Sequence, residues 1–395
     1  MLARSSLNLF SFAFSRNWQA VRYSNAHPNY ATIKALSTVN ANILPKIKSS
    51  WVSKEEACDF MAIFPDLVRD LTVLPEYSDI TEVTKRFAKV LQYNVPCGKN
   101  IRGLTTVAAY KLTEDPSKLT EKNIRLAQIM GWCIEMLHSS VIISDDVMDS
   151  SQTRRGAPCW YLVDGIGMQA INDALLIENS VYGLLRKHFS DHHCYTPAME
   201  LFHESIMKTS MGQSLDLLCT FDGLPQLEMF TMNRYNSIVR YKASYYSFQL
   251  PFALALYLTG NYDPEMHRQA TTILLKMGHF YQVQDDFLDC FGDPTLTGKI
   301  GTDIQNGKCS WLVVLALQRV TPEQKQILYD NYGKKDPKCV AAVRSLYEDL
   351  GIPNAYAIYK EDSYNLIRQN IQQVSAGVLH KTLYKFLESV YKRTS

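Results

Sequence analysis

Residues 144–156 read SDDVMDSSQTRRG. On a helix Asp145 and Asp149 fall one turn apart with Asp146 beside them, so the spacing predicts three carboxylates converging on one point. Such a cluster repels itself unless cations sit there. A second copy follows 140 residues on (285 minus 145), where QVQDDFLD places Asp285, Asp286 and Asp289 in the same spacing. Each copy follows an apolar stretch, one ending in Ile143 and the other carrying Ile273, Leu274, Met277 and Phe280. A lone acidic helix end reads equally well as a solvated surface. Two, each embedded in an apolar helix, fit oxygen-ligand sites for Mg²⁺, a hard ion that keeps several waters and is held by a few carboxylates together with substrate phosphates. Mn²⁺ accepts the same octahedral oxygen set.

Cations flank both triplets. Arg154 and Arg155 follow the first, Lys299 and Lys308 the second, and GKNIRG at 98–103 adds Lys99 and Arg102. Guanidinium forks and lysine ammonium groups match phosphate oxygens. Taken singly each is ordinary surface charge; beside two metal-type clusters and apolar walls they describe a pocket for a polyphosphorylated, greasy molecule. GKNIRG lacks the GxxxxGK[ST] spacing and no predicted strand precedes it, which excludes a nucleotide-hydrolysing loop.

The elements that must position these groups are helices. From about Ser53 onward apolar residues recur at three- and four-residue spacing, as in Phe60, Ile63, Phe64, Leu67, Leu71 and in Leu126, Ile129, Met130, Cys133, Met136, Leu137. Further helices are expected around 166–189, 197–219, 232–258, 264–290, 308–319, 338–349 and 362–393, with no β-hairpin. Breakers cluster at 96–103, 156–158, 292–301 and Pro337, and no linker separates two domains. One all-α domain over 46–395 is the expectation.

Composition agrees. The 395 residues are 46% hydrophobic and 20% charged, enough to bury a large core. The net charge of +2 (41 minus 39), without a basic run, argues against nucleic acid as a partner. No 18 uninterrupted apolar residues occur, so no transmembrane segment is expected and a soluble protein is. Nine cysteines, odd in number and never closer than the 19 residues between Cys290 and Cys309, fit neither a zinc ribbon nor a disulfide framework, and suit a reducing compartment. The first 54 residues hold no Asp or Glu, while Arg4, Arg16, Arg22, Lys34, Lys46, Lys48 and Lys54 supply seven positive charges. An acid-poor, Arg- and Ser-rich start reads as a mitochondrial transit peptide. Asn8 and Ser11 interrupt the apolar Leu7–Phe14 stretch that a secretory signal would need. Residues 1–45 are therefore set apart as a leader, with a cytoplasmic location expected if it is not used.

With both acidic triplets, GKNIRG, RRG, GQSLDLL, YKASYYSF and GKIGTDIQNGKCSW in view, the chain from about residue 53 to its end resembles the farnesyl diphosphate synthases, specifically the insect kind. The resemblance implies an all-helical barrel around a deep cavity, a homodimer, and two triplets facing each other across three Mg²⁺ ions. An allylic diphosphate (dimethylallyl, geranyl or farnesyl) would ionise there and be attacked by isopentenyl diphosphate. By the same resemblance Asp145, Asp149 and Asp285 are direct metal ligands, supported by Asp146, Asp286 and Asp289. Arg154, Lys242 and Lys299 hold the allylic diphosphate. Lys99, Arg102, His138 and Arg155 hold isopentenyl diphosphate, with Tyr281 and Gln282 near its hydrocarbon end. Gln213, Asp216, Asp303 and Lys308 support the site or close its loop, Lys308 counting also among the allylic-diphosphate cations.

Four positions depart from that family's animal pattern. His138 stands for the usual Gln, as in geranylgeranyl diphosphate synthases. Ser140 and Val141 stand for a pair of Phe residues, about 7.5 and 6 Å along the helix from Asp145, where the growing chain meets its floor. Small residues there deepen the pocket and predict a longer product, such as geranylgeranyl diphosphate. Ala243 stands for a Thr that steadies the allylic cation. That loss raises a second expectation, a terpene synthase that ionises farnesyl or geranylgeranyl diphosphate without elongating it.

Overall fold

Helix starts in this chain are written by local capping chemistry. Ser53 Oγ accepts from Glu56 N at 3.1 Å while the Glu56 carboxylate accepts from Ser53 N at 2.9 Å, a reciprocal cap that begins α1 (Lys54–Ala62). Pro65 opens α2 (Phe64–Thr72) one residue later, so the stripe from Phe60 to Leu71 is carried by two helices bent at Ile63. The computed structural model describes residues 52–293, 301–375 and 377–392; the leader over 1–45, and Lys299, lie outside them.

The chain continues through α3 (Thr81–Asn94), α4 (Ile101–Thr113), α5 (Glu121–Met148), α6 (Gln169–Phe189), α7 (Tyr195–Leu217) and α8 (Met232–Ile238). A π-helical segment (Val239–Gln249) passes directly into α9 (Leu250–Leu258). Then come α10 (Pro264–Phe291), α11 (Trp311–Leu317), α12 (Pro322–Asn331), α13 (Pro337–Asp349), α14 (Ile352–Gln372) and α15 (Gly377–Tyr391). The fold is all-α. One core, around Trp132, Phe189, Phe202, Phe252 and Phe280, gathers α1–α7, the π segment, α9, α15, the end of α14 and α10 as far as Phe280. A second, around Tyr235, Val283, Trp311 and Tyr347, lies under the far end of α10. Trp132 anchors α5, stacked 4.5 Å from Phe60 and donating Nε1–H to Phe60 O at 2.8 Å.

Helix α5 is long and apolar enough to cross a membrane by length and composition, yet 78% of its apolar window is buried inside the protein. It is the core helix that delivers the first acidic triplet.

The structure departs from the sequence expectations in four places. The helix expected over 362–393 is two, because Ser375 turns its N–H and Oγ to Gln269 Oε1 on α10, each at 3.2 Å, instead of continuing the ladder. Gly103, expected in a breaker, lies inside α4. Two short antiparallel hairpins exist where none was expected. Thr153–Arg154 pairs with Ala157–Pro158 around Arg155-Gly156, and Thr220–Phe221 with Leu224–Pro225 around Asp222-Gly223. Both turns place two successive residues at positive φ, 56° and 79° in the first and 50° and 74° in the second, the geometry of two-residue hairpins. Finally, 232–258 is helical throughout but is wound as a π-helix in its middle. Gly212 on α7 explains how the wide segment fits: a Cβ there would come within 2.1 Å of Lys242 N.

Candidate active site

Asp145 and Asp146 lie in the last turn of α5 and Asp149 caps it. Neighbouring helical residues point about 100° apart, and Asp146 is the inner of the three, sharing Arg154 Nη2 with Asp145 Oδ2 at 3.8 Å. It is buried, and Arg154 grips it through Nη2 at 2.6 Å and Nε at 3.0 Å. Of the three carboxylates, Asp146 is thus the one committed to Arg154. Asp145 Oδ1 stands 3.1 Å from Lys242 Nζ, and Asp149 Oδ2 lies 2.6 Å from Lys308 Nζ. Asp216, buried on α7, receives both lysines, Lys242 at 2.6 Å and Lys308 at 3.2 Å. Charges therefore alternate from Asp145 through Lys242, Asp216 and Lys308 to Asp149. Burial alone would raise the Asp216 carboxyl, but the two ammonium groups hold it below its ordinary value. Burial would lower both lysines, and the carboxylates raise them instead. Asp149 is pushed up, by burial first and by Asp145 next.

The hairpin missed in the sequence splits two adjacent arginines. Arg154, in a strand, faces Asp146; Arg155, in the left-handed turn, swings to Asn94 O at 2.6 Å. Its guanidinium packs against Gly98 of GKNIRG, 3.0 Å from where a Cβ would sit.

Asp286 on α10 is likewise buried and fully engaged. It accepts from Tyr235 Oη, Trp311 N and Gln282 Nε2, each at 2.8 Å. Burial raises its carboxyl to about 6 against the pull of those donors. Gln282 is thereby committed to Asp286. Asp285 and Asp289 flank it less buried, and Asp289 Oδ1 accepts from Asp303 N at 2.9 Å. The segment 308–311 joins the two triplets, since Lys308 Nζ reaches Asp149 while Trp311 N caps Asp286. Only two residues separate Lys308 from Trp311, at most about 10 Å of extended backbone.

Among the described residues no three carboxylate, imidazole or thiol groups gather tightly enough to enclose one ion. Yet Asp145 Oδ1 is buried without a hydrogen-bond donor, its lysine contact lacking hydrogen-bond alignment. An orphaned carboxylate oxygen among cation-held carboxylates fits a cation that each triplet ligates through one or two oxygens, the rest coming from water and phosphate.

A second cationic group sits where α4 crosses α5. Arg102 donates to Ser247 Oγ at 3.0 Å and Tyr246 Oη at 3.2 Å, and its Nη1 lies 3.2 Å from His138 Nε2. Arginine can only donate, so Nε2 accepts and Nδ1–H donates to Tyr246 Oη at 3.2 Å. Burial and the guanidinium groups of Arg102, Arg155 and Arg154 all drive His138 well below its usual value, so it is neutral. His138 therefore orients Arg102 and adds no charge of its own. Glu135, 1% exposed and accepting Gly103 N at 2.8 Å, underlies Arg102 and Arg155. Lys99 is exposed beside them, and Tyr281 packs on Phe248 at 5.5 Å.

Below the first triplet, Ser140 and Val141 line a cavity of about 290 Å³ whose other wall is α6 and α7 and which is open to solvent past Leu175 and Leu217. Gln213 lies at its upper end, its Nε2 4.0 Å from Met148 Sδ. Ala243, half-buried, sits in the π segment beside Lys242. Sequence reasoning missed Tyr235, Glu135, Tyr246 and Ser247. All four find their partners 32 or more positions away, and although Tyr246 and Ser247 fall in YKASYYSF, nothing local marks the bonds they make.

An all-helical fold delivering two acidic triplets and two cationic groups around a cavity defines a class. The chain belongs to the polyprenyl synthetase family, whose model matches residues 84–350, and it is a prenyltransferase, a trans-isoprenyl diphosphate synthase. It is 44% identical over 375 residues to the farnesyl pyrophosphate synthase of Nezara viridula, covering 95% of this chain and 90% of that protein. The farnesyl pyrophosphate synthase of Murgantia histrionica is 43% identical over 380 residues, 96% of this chain and 91% of its own. That of Gallus gallus is 45% identical over 346 residues, covering 87% and 94%.

Proposed function

We propose that this enzyme condenses an allylic diphosphate, dimethylallyl or geranyl, with isopentenyl diphosphate to give farnesyl diphosphate, in an Mg²⁺-dependent reaction. The observation that carries the reading is the alternating Asp145–Lys242–Asp216–Lys308–Asp149 clasp tied through residues 308–311 to the second triplet. In the reaction the allylic carbon–oxygen bond breaks and diphosphate leaves with the electron pair. The double bond of isopentenyl diphosphate supplies the electrons of the new carbon–carbon bond, and a proton is then lost.

Asp145, Asp149, Asp285 and Asp289 would hold the metal, with Asp146 and Asp286 fixing the helix ends behind them. When bound, Mg²⁺ stabilises charge on the departing diphosphate. Arg154, Lys242 and Lys308 would supply fixed cations for the same oxygens, which favours the transition state over the ground state in a water-poor site, and Lys299 joins them by resemblance alone. Lys99, Arg102 and Arg155 would grip isopentenyl diphosphate, with Arg102 aligned by neutral His138 and by Tyr246. The retained second cationic group supports elongation over terpene formation, which has no use for it.

Purified enzyme with Mg²⁺ and geranyl diphosphate, incubated with and without isopentenyl diphosphate, tests this by product mass. Farnesyl diphosphate is expected only when both substrates are present. Hydrocarbon or alcohol from the allylic substrate alone would overturn the reading. Exposed apolar side chains along α6 and α7, Ile171 and Leu175 on one and Met207, Met211 and Leu218 at the end of the other, support a homodimer. The acid-free leader supports a mitochondrial address, and a reporter fused to residues 1–54 that stays in the cytosol would refute it.

A further inference from the structure

The cavity below the first triplet is lined by thirteen side chains, seven of them polar. That is an odd wall for a hydrocarbon tail, until the hydroxyls are followed to their partners. Ser140 Oγ donates to Leu137 O at 2.8 Å, Ser144 to Ser140 O at 3.1 Å, Thr209 to Ser205 O at 2.9 Å and Ser214 to Ser210 O at 3.1 Å. Four of the five lining hydroxyls are thus folded back on their own helices and turn little polarity into the cavity, Ser210 being the exposed exception. Glu178 on α6 is different. It is the one ionisable group in the lining and, among the described residues, its carboxyl has no hydrogen-bond partner.

Its height in the cavity follows from helix register. Helices α6 and α7 run antiparallel through the short 190–194 connection, and Tyr182 stacks on His203 at 4.2 Å. One turn towards the start of α6 from Tyr182 is Glu178, and three residues on from His203 is Ile206, so the two lie level. Gln213, at the metal end, is seven residues or about 10 Å further along α7. Glu178 thus stands at the end of the cavity remote from the aspartates, and the Tyr182–His203 stack lies beyond it.

We propose that Glu178 is a specificity-determining residue that sets product length, a polar stop at the bottom of the tail cavity where Ser140 and Val141 offer no bulk. This rests on the prenyl-transfer reading above. A tail one isoprene unit longer must press methyl groups against the Glu178 carboxyl and strip its water without replacing it. Farnesyl diphosphate stops short of that contact and leaves, whereas a chain already occupying that space would be able to grow again. Burial pushes the carboxyl up while His203 draws it back, and it is a polar, partnerless group in either protonation state.

The test is product analysis with Mg²⁺, isopentenyl diphosphate and either geranyl or farnesyl diphosphate as the allylic substrate. It compares the native enzyme with Glu178→Met, which keeps the length and helix preference of the side chain, and Glu178→Gln, which keeps its size and polarity. Glu178→Met is expected to raise the geranylgeranyl fraction at least about tenfold and to lower KM for farnesyl diphosphate similarly, with KM for geranyl diphosphate unchanged. Glu178→Gln should fall between it and the native enzyme. Unchanged product length and unchanged farnesyl KM in an active Glu178→Met enzyme would overturn the proposal. Absence of any transfer from geranyl diphosphate by the native enzyme would instead overturn the underlying reading, and this proposal with it.

Discussion

Within each triplet the three aspartates have different work. Asp286 takes three donors at 2.8 Å in a buried site, so Asp286→Ala strands the Tyr235 hydroxyl and the Trp311 amide. That substitution should cost about 3–5 kcal/mol of stability in urea unfolding. Asp145→Ala leaves Lys242 still paired with Asp216 at 2.6 Å, and should change stability by no more than about 1 kcal/mol while lowering turnover by about 10² or more. Equal stability losses in the two variants would contradict this division of roles. The triplets themselves were legible, because DDxxD twice after apolar helix is a strong pattern. The division of labour within them was not, because Arg154, Tyr235 and Trp311 reach the inner carboxylates by way of a hairpin, a separate helix and a loop. The same limit hid Glu178, which faces Val141 across a cavity from 37 positions away (178 minus 141).

At the scale of elements, the π segment is held against α7 at Gly212, and a methyl group there meets Lys242 backbone at 2.1 Å. Gly212→Ala must separate the two helices and displace Lys242 from Asp145 and Asp216. A loss of about 1–3 kcal/mol in stability is expected, together with a larger KM for the allylic diphosphate. The glycine was visible in GQSLDLL, but its reason depends on a crossing that no spacing predicts. Helix α10 carries a second device in His279, whose Nε2–H donates to Asn236 Oδ1 and whose Nδ1 accepts from Tyr359 Oη, both at 2.8 Å. Burial, aided by Arg240, lowers this imidazole from 6.5 to about 4. Between those values the unfolded chain binds a proton that the folded one refuses. Its contribution is therefore complete above pH 6.5 and is lost as pH falls towards 4, amounting to at most about 3 kcal/mol. Thermal melts across that window should flatten in His279→Gln, and an unchanged slope would show that other groups carry it.

For the molecule as a whole, periodicity predicted one all-α domain, and breaks such as that at Ser375 depended on a partner on α10. The exposed row of Ile171, Leu175, Met207 and Met211, 44%, 53%, 59% and 58% accessible, is large for a lone surface. Light scattering should report a dimer, and Met207→Asp with Met211→Asp should yield a monomer of unchanged helicity; a native monomer would count against it.

The most direct measurement is incorporation of isopentenyl diphosphate into product as free Mg²⁺ is titrated from chelated to saturating, for the native enzyme, Asp145→Ala and Asp285→Ala. No incorporation under chelator, restoration by added Mg²⁺ in the native enzyme, and little recovery in either variant are expected. Incorporation that persists in chelator, or variants that respond to the ion as the native enzyme does, would contradict a reaction built on two acidic triplets sharing divalent cations with a diphosphate.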